Sequence, residues 1–140
     1  MLFVDTSAFY ALADRSDRHH AEAVSTLRES VESYEPVTSD HVVVESWLLI
    51  RSRLGRPAAL SFWDGIAGGA VALLGITAQD FWHGREIARQ WPDQTFSIVD
   101  CTSFALIERL AIARAFAFDV HFRIFRYGPL RRRALEVVPG

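Results

Sequence analysis

Four acidic residues stand in apolar surroundings, and acids placed that way need partners. Asp5 follows Leu2-Phe3-Val4, and Glu45 lies between Val42-Val43-Val44 and Trp47-Leu48-Leu49. Asp100 follows Ile98-Val99, and Asp119 follows Phe116-Ala117-Phe118. A buried carboxylate is costly unless it is paired or hydrogen-bonded. Grouped carboxylates also repel, and each raises the pKa of the others. A hard divalent cation removes both penalties, so the oxygen donors point to Mg²⁺ or Mn²⁺ held with several waters. Such an ion activates water and neutralises charge on a phosphodiester. Each acid also has a structural alternative. Asp5 and Asp100 could be helix caps, Glu45 could pair with an arginine, and Asp119 could open a turn.

The elements that would position these acids follow from the hydrophobic pattern. Leu2-Phe3-Val4 reads as a short buried strand ending at Asp5, with Thr6 or Ser7 capping a first helix. Ser16 or Asp17 caps a second helix to about Ser33, on which Ala21, Val24, Leu27 and Val31 share a face. Residues 36–39 form a second strand, and Asp40 caps a helix from His41 to about Arg53. Pro57 opens a fourth helix through Phe62, Trp63 and Ile66. Val71 to Leu74 is a third strand, and Thr77 or Asp80 starts a helix that ends before Pro92. Phe96 to Val99 is extended, and Asp100 opens a helix to about Arg114. Ala115 to Phe118 is a fourth strand ending at Asp119, and Ala134 to Val138 is a last edge strand.

Strands alternating with helices mean a mostly parallel central sheet of four to five strands, flanked by helices on both faces, in an α/β fold. In such a sheet the strand C-termini share one edge, where open α/β folds bind ligands. Asp5, Glu45, Asp100 and Asp119 can therefore converge there from four parts of the chain. The length of 140 residues suits one domain over 1–140.

Composition excludes several classes. Half the residues are apolar, so the chain folds. The weakly polar run from Ala67 to Ala78 is too short and glycine-rich to span a membrane. Met1 is followed at once by the first strand, which leaves no room for a signal peptide. Cys101 is the only cysteine, so there is no internal disulfide and no cysteine-based zinc cage. A reducing cytoplasm fits best. Ser7 stands where a haloacid-dehalogenase-like phosphatase needs its second aspartate. No lysine exists to serve a receiver domain or a phosphate-binding loop. Cys101 with His121 or His41 is a conceivable nucleophilic pair, and His19-His20 reads as surface.

The net charge is −2, and every cation is an arginine. Arg123, Arg126, Arg131, Arg132 and Arg133 crowd the end of the chain against the single acid Glu136. That stretch is a candidate for binding a phosphate backbone, or simply a solvated face.

The stretches LFVDTSAF, SDHVVVESW, SIVDCTSFA and FAFDVHFR, in this order and at about this spacing, resemble the PIN-domain ribonucleases, specifically the VapC toxins of type II toxin–antitoxin pairs. The resemblance covers nearly the whole chain. It implies a PIN-like fold and a Mg²⁺- or Mn²⁺-dependent endoribonuclease. It maps the family's acids onto Asp5, Glu45, Asp100 and Asp119. Asp5, Asp100 and Asp119 would hold metal directly, and Glu45 would hold a second ion or position water. Thr6, Ser7 or Ser103 would hydrogen-bond the acids or the scissile phosphate. It further implies a homodimer, a VapB-like antitoxin that covers the site, an RNA substrate such as transfer or ribosomal RNA, and operator DNA bound only through the antitoxin. Ala117 and Val120 depart from the family pattern, where a hydroxyl and a basic residue are common. The other readings are a catalytically weak PIN-fold binding module working within an antitoxin complex, and a DNA or 5′-nuclease. The second is disfavoured by the short chain.

Overall fold

Leu2, Phe3 and Val4 are all buried, so the strand they form must be covered on both faces. In the computed structural model, which describes residues 1–140, this strand (β1, Leu2–Val4) is the centre of a five-stranded sheet. The strands lie in the order β3-β2-β1-β4-β7: β2 is Pro36–Ser39, β3 is Ala72–Leu74, β4 is Arg114–Phe116 and β7 is Glu136–Val138. Every neighbouring pair in this sheet is parallel. Seven helices flank it: α1 (Thr6–Ala13), α2 (His20–Ser30), α3 (Asp40–Leu54), α4 (Arg56–Ala67), α5 (Ala78–Gln90), α6 (Ile98–Leu110) and α7 (His121–Ile124). A small antiparallel hairpin, β5 (Arg126–Tyr127) with β6 (Arg133–Ala134), precedes the edge strand β7. No helix is long and apolar enough to cross a membrane.

Several boundaries differ from the sequence expectation, each for a local reason. Asp5 itself, rather than Thr6 or Ser7, caps α1. Ser39, not Asp40, caps α3 by accepting the Val42 N–H at 3.1 Å. Asp40 instead accepts the N–H of Ile76 at 3.0 Å, tying the start of α3 to the loop after β3. The second helix starts at His20, because Asp17 takes the His19 N–H in a turn. α6 starts at Ile98 rather than Asp100, with Ser97 and Asp100 forming a capping box. It ends at Leu110 through Ala111 in the left-handed region (φ +52°), short of Arg114. β4 stops at Phe116, level with the end of β1, so Asp119 lies in a loop beyond the strand. The expected last strand from Ala134 to Val138 is split: Arg133–Ala134 pairs with β5, and Glu136–Val138 pairs with β4. His19 and His20 are half-buried rather than free on the surface. His19 stacks on Phe118, and His20 Nδ1 lies 2.8 Å from the Ala11 carbonyl.

The core is aromatic where it supports the sheet edge. Phe3, Phe104, Phe116, Phe122 and Phe125 are fully buried, and Phe104 stacks on Phe125 with ring centroids 4.1 Å apart. Two devices hold α5 against α6. Arg109 grips Asp80 bidentately at 2.7 and 2.9 Å. Burial opposes ionisation of Asp80, but these bonds and the Thr77 cap outweigh it and hold its pKa below the ordinary value. The second device is Gly84, where a Cβ would sit 3.1 Å from the Cys101 carbonyl carbon and oxygen. Those are backbone atoms and cannot swing aside. Alanine would gain about 1 kcal/mol of helix propensity there, but it must push two helices apart, an overpacking cost of about 1–3 kcal/mol. Gly84→Ala is therefore expected to lower the urea midpoint. A raised midpoint would mean that the α5–α6 contact is loose.

Candidate active site

The C-terminal edge of the sheet collects the acids. Asp5 follows β1, and its Oδ2 accepts the Ser7 N–H at 3.0 Å and the Ser7 hydroxyl at 2.6 Å. The Ser7 oxygen accepts the N–H of Phe118 at 2.9 Å and of Asp119 at 3.3 Å. Ser7 thus fastens the end of β1 to the loop after β4. Asp100 sits in the first turn of α6, where its Oδ2 accepts the Ser97 N–H at 3.0 Å. Asp119 accepts the His121 N–H on Oδ1 at 2.9 Å. Glu45, in the second turn of α3, is half-buried and close enough to feel the charges of Asp100 and Asp119.

His121 joins this group, although its sequence context gave it no such place. Its Nδ1 lies 2.8 Å from Asp100 Oδ2 and 3.5 Å from Asp119 Oδ1. One donor atom each from Asp100, Asp119 and His121 fit within 4.8 Å of one another. None of the four acids is paired with an arginine. Asp5, Asp100 and Asp119 each use one carboxylate oxygen for internal hydrogen bonds, and no hydrogen bond reaches the other.

The electrostatics follow from burial without a cation. Burial pushes Asp5 up to about 7 against its two Ser7 bonds, and the charges of Asp100 and Asp119 add to the rise. Burial likewise raises Glu45, where the Thr6 hydroxyl works the other way and Asp100 and Asp119 raise it further. Asp100 is raised by burial, opposed by the Ser97 N–H and His121 and helped by Asp119. The Thr6 and Ser103 hydroxyls are buried without a hydrogen-bond partner.

Hard oxygen donors, missing counter-charge, free carboxylate oxygens and orphaned hydroxyls all fit a divalent cation with its waters. Cys101 fits no nucleophilic role: burial pushes its thiol up to about 11, helped by the Asp100 charge. Its conceivable partners are engaged elsewhere, His121 with Asp100 and His41 with the Thr102 hydroxyl at 3.1 Å. Ala117 is fully buried, and Val120 is exposed.

The profile of the PIN domain family matches residues 2–126. The 23S rRNA-specific endonuclease VapC20 of Mycobacterium tuberculosis is 34% identical over 130 residues, covering 87% of this chain and 92% of its own length. The chain belongs to the VapC toxin family of PIN-domain proteins. Ribonuclease VapC26 of the same organism is 28% identical over 139 residues, 99% of this chain and 100% of that protein. The crystal structure of VapC20, described as a sarcin–ricin loop cleaving toxin, superposes with a TM-score of 0.77 at 32% identity, covering 86% of this chain and 91% of that one. VapBC2 of Rickettsia felis, bound to a fragment of promoter DNA, shares the fold with a TM-score of 0.71 at 11% identity, over 98% and 97% of the two chains.

The arginines of the family member's basic end are unequally placed. Arg126 donates to the carbonyls of Arg123, Ile124 and Phe125 at 2.7–3.1 Å, capping α7. Arg123 donates to the Pro139 carbonyl and Arg131 to the Gln90 carbonyl. Arg132 and Arg133 are exposed and make no side-chain hydrogen bond within the chain.

The raised Asp5 pKa makes metal-free stability depend on pH. The folded state holds a proton on Asp5 that the unfolded chain releases near 3.8, so this group's contribution is full below that value. It falls as pH rises and is lost by about 7. In EDTA, the Tm of the wild type is expected to drop between pH 5 and 8, by an amount on the order of a few degrees that Asp5→Asn removes. Equal pH profiles for the two proteins would show that Asp5 is not held neutral.

Proposed function

We propose that this protein is a metal-dependent endoribonuclease toxin that hydrolyses phosphodiester bonds of structured RNA. The observation that carries the reading is the cluster of carboxylates without an arginine counter-charge, each of the three aspartates keeping one oxygen free. Asp5, Asp100 and Asp119 would hold a Mg²⁺ or Mn²⁺ ion, and Glu45 would hold a second ion or orient the attacking water. Such an ion supplies charge neutralisation at the scissile phosphate and makes water a better nucleophile at neutral pH. Ser7 fixes the Asp5 carboxylate and the loop carrying Asp119. Thr6 and Ser103 offer hydroxyls without other partners, able to bind a phosphate oxygen or a water.

The relatives suggest the substrate class and partners. Ribosomal RNA is the first substrate to test, because the 34% identical relative is a 23S rRNA-specific endonuclease. The fold shared with VapBC complexes supports a small VapB-like antitoxin as partner, through which operator DNA would be bound. A homodimer is the assembly that the family resemblance implies. The exposed apolar residues Val44, Leu48 and Trp63 on α3 and α4 are the surface we assign to it.

The decisive experiment is cleavage of ribosomal and total RNA by antitoxin-free protein, with Mg²⁺ or Mn²⁺ against EDTA. Discrete cuts that require metal are expected. Asp5→Asn or Asp100→Asn should reduce them by at least about 10²-fold, the scale of removing one electrostatic group from a transition state. Cutting that survives both substitutions would refute the site. Absence of cutting by folded, metal-binding wild type would favour a binding module within the antitoxin complex. Changing Arg131, Arg132 and Arg133 together to alanine should weaken RNA binding and flatten its dependence on salt, each lost phosphate contact lowering the slope by about 0.7–0.9. An unchanged slope would leave these residues as a solvated face.

A further inference from the structure

We propose that His121 is a positioning residue of the cation site: its Nδ1–H holds Asp100 in the orientation that binds metal, without itself binding the ion. The inference rests on the metal-dependent nuclease reading above. Asp100 Oδ2 receives two donors, the Ser97 N–H at 3.0 Å and His121 Nδ1 at 2.8 Å. Those two bonds occupy one oxygen and leave Oδ1 as the ligand atom. A His121 that bound the ion directly would give up the shorter of them. The Asp100 carboxylate can only accept, which calls for a proton on Nδ1, and on the far side of the ring Nε2 lies 3.4 Å from the Thr95 hydroxyl, a group able to donate to it. A ring that donates from Nδ1 and accepts at Nε2 satisfies both contacts.

The ring is also held from the core. Phe96 packs edge-on against it with centroids 5.0 Å apart, and Phe96 in turn packs on Phe104. The backbone of the same residue donates to Asp119 Oδ1. One residue therefore orients two of the acids, Asp100 through its side chain and Asp119 through its main chain. Outer partners of this kind fix the direction of ligand atoms, and their loss typically weakens metal binding by about 10–100-fold.

Three substitutions separate orientation from packing. Asparagine places an amide N–H where Nδ1 stands but lacks the ring. Phenylalanine keeps the ring against Phe96 but has no donor. Alanine lacks both. Mn²⁺ and Mg²⁺ affinity would be measured by calorimetry on the full-length, antitoxin-free protein. His121→Phe and His121→Ala are expected to bind about 10–100-fold more weakly than wild type, and His121→Asn to recover most of that loss. Wild-type affinity in His121→Phe, or equal weakness in His121→Asn and His121→Phe, would overturn the proposal. Spectra of Mn²⁺-loaded wild type sensitive to ¹⁴N coupling supply a second readout. A directly coordinated nitrogen that disappears in His121→Phe would also overturn it, making His121 a ligand. Asp100→Asn separates the two levels of inference. If wild type binds the cation, Asp100→Asn abolishes binding and His121→Phe does not weaken it, only the role of His121 fails. If wild type binds no cation at all, the metal-dependent reading fails with it.

Discussion

Like charges gathered at the edge of a sheet, with no fixed cation to balance them, are the constraint to which the rest of the structure answers. Two carboxylates about 4 Å apart repel by about 4 kcal/mol at the effective dielectric of a protein surface. The fold does not relieve that repulsion with an arginine, although fifteen are present. It meets it with hydrogen-bond donors: the Ser7 hydroxyl and N–H, the Ser97 N–H and His121. The Ser7 and Ser97 donors fix direction without cancelling charge. The cluster therefore keeps its demand for a proton or a cation, and the raised Asp5 and Asp100 pKa values express that demand.

Capping and site-building are the same act here. A helix N-terminus has unpaired N–H groups, and one carboxylate oxygen satisfies them. Asp5 and Asp100 each spend Oδ2 in this way, which locks the side chain and leaves the second oxygen free of hydrogen bonds. α7 shows the same economy by another route. Four residues are too few for a helix to hold itself by propensity. Phe122 and Phe125 at its two ends pack on Phe104, with centroids 5.1 and 4.1 Å away, and Phe3 stacks on Phe122. Rings thus run from β1 under α7 to Phe96 and the His121 imidazole, so the core carries the outermost ring of the cluster.

This division explains what could be read from the sequence. β1, β2 and the long helices were legible because apolar runs and three- or four-residue spacing report burial directly. The parallel character of the sheet followed from alternating elements, and with it the edge on which Asp5 and Asp119 lie. Ser97-x-x-Asp100 is a capping-box pattern, so the true start of α6 was also present in the residues. The apolar run Phe96 to Val99 masked it. Ala117-Phe118 continued the strand pattern, but β1 ends at Val4 and offers no further partner. α7 and the β5–β6 hairpin are too short to leave a period. The contact of His121 with Asp100 spans 21 positions and depends on how the loop after β4 folds back. No local pattern could have announced it.

Charge was the least legible property, because a count of arginines says nothing of what each guanidinium already holds. Arg109 closes α5 on α6 through Asp80, and Arg126 satisfies three carbonyls at the end of α7. Arg123 and Arg131 each reach a main-chain carbonyl as well. A planar group with five donors can cap several acceptors and still present its remaining edge, which an ammonium cannot do. In a chain without lysine, the same residue type builds the frame and offers positive charge at its surface. In the nuclease reading, a polyanion would draw on two unlike sources of positive charge, the arginines and the cation. Arg109, Arg123, Arg126 and Arg131 are tied into the fold by hydrogen bonds, and Arg132 and Arg133 are not. In that reading the cation would be supplied from solution, and cleavage would wait on it.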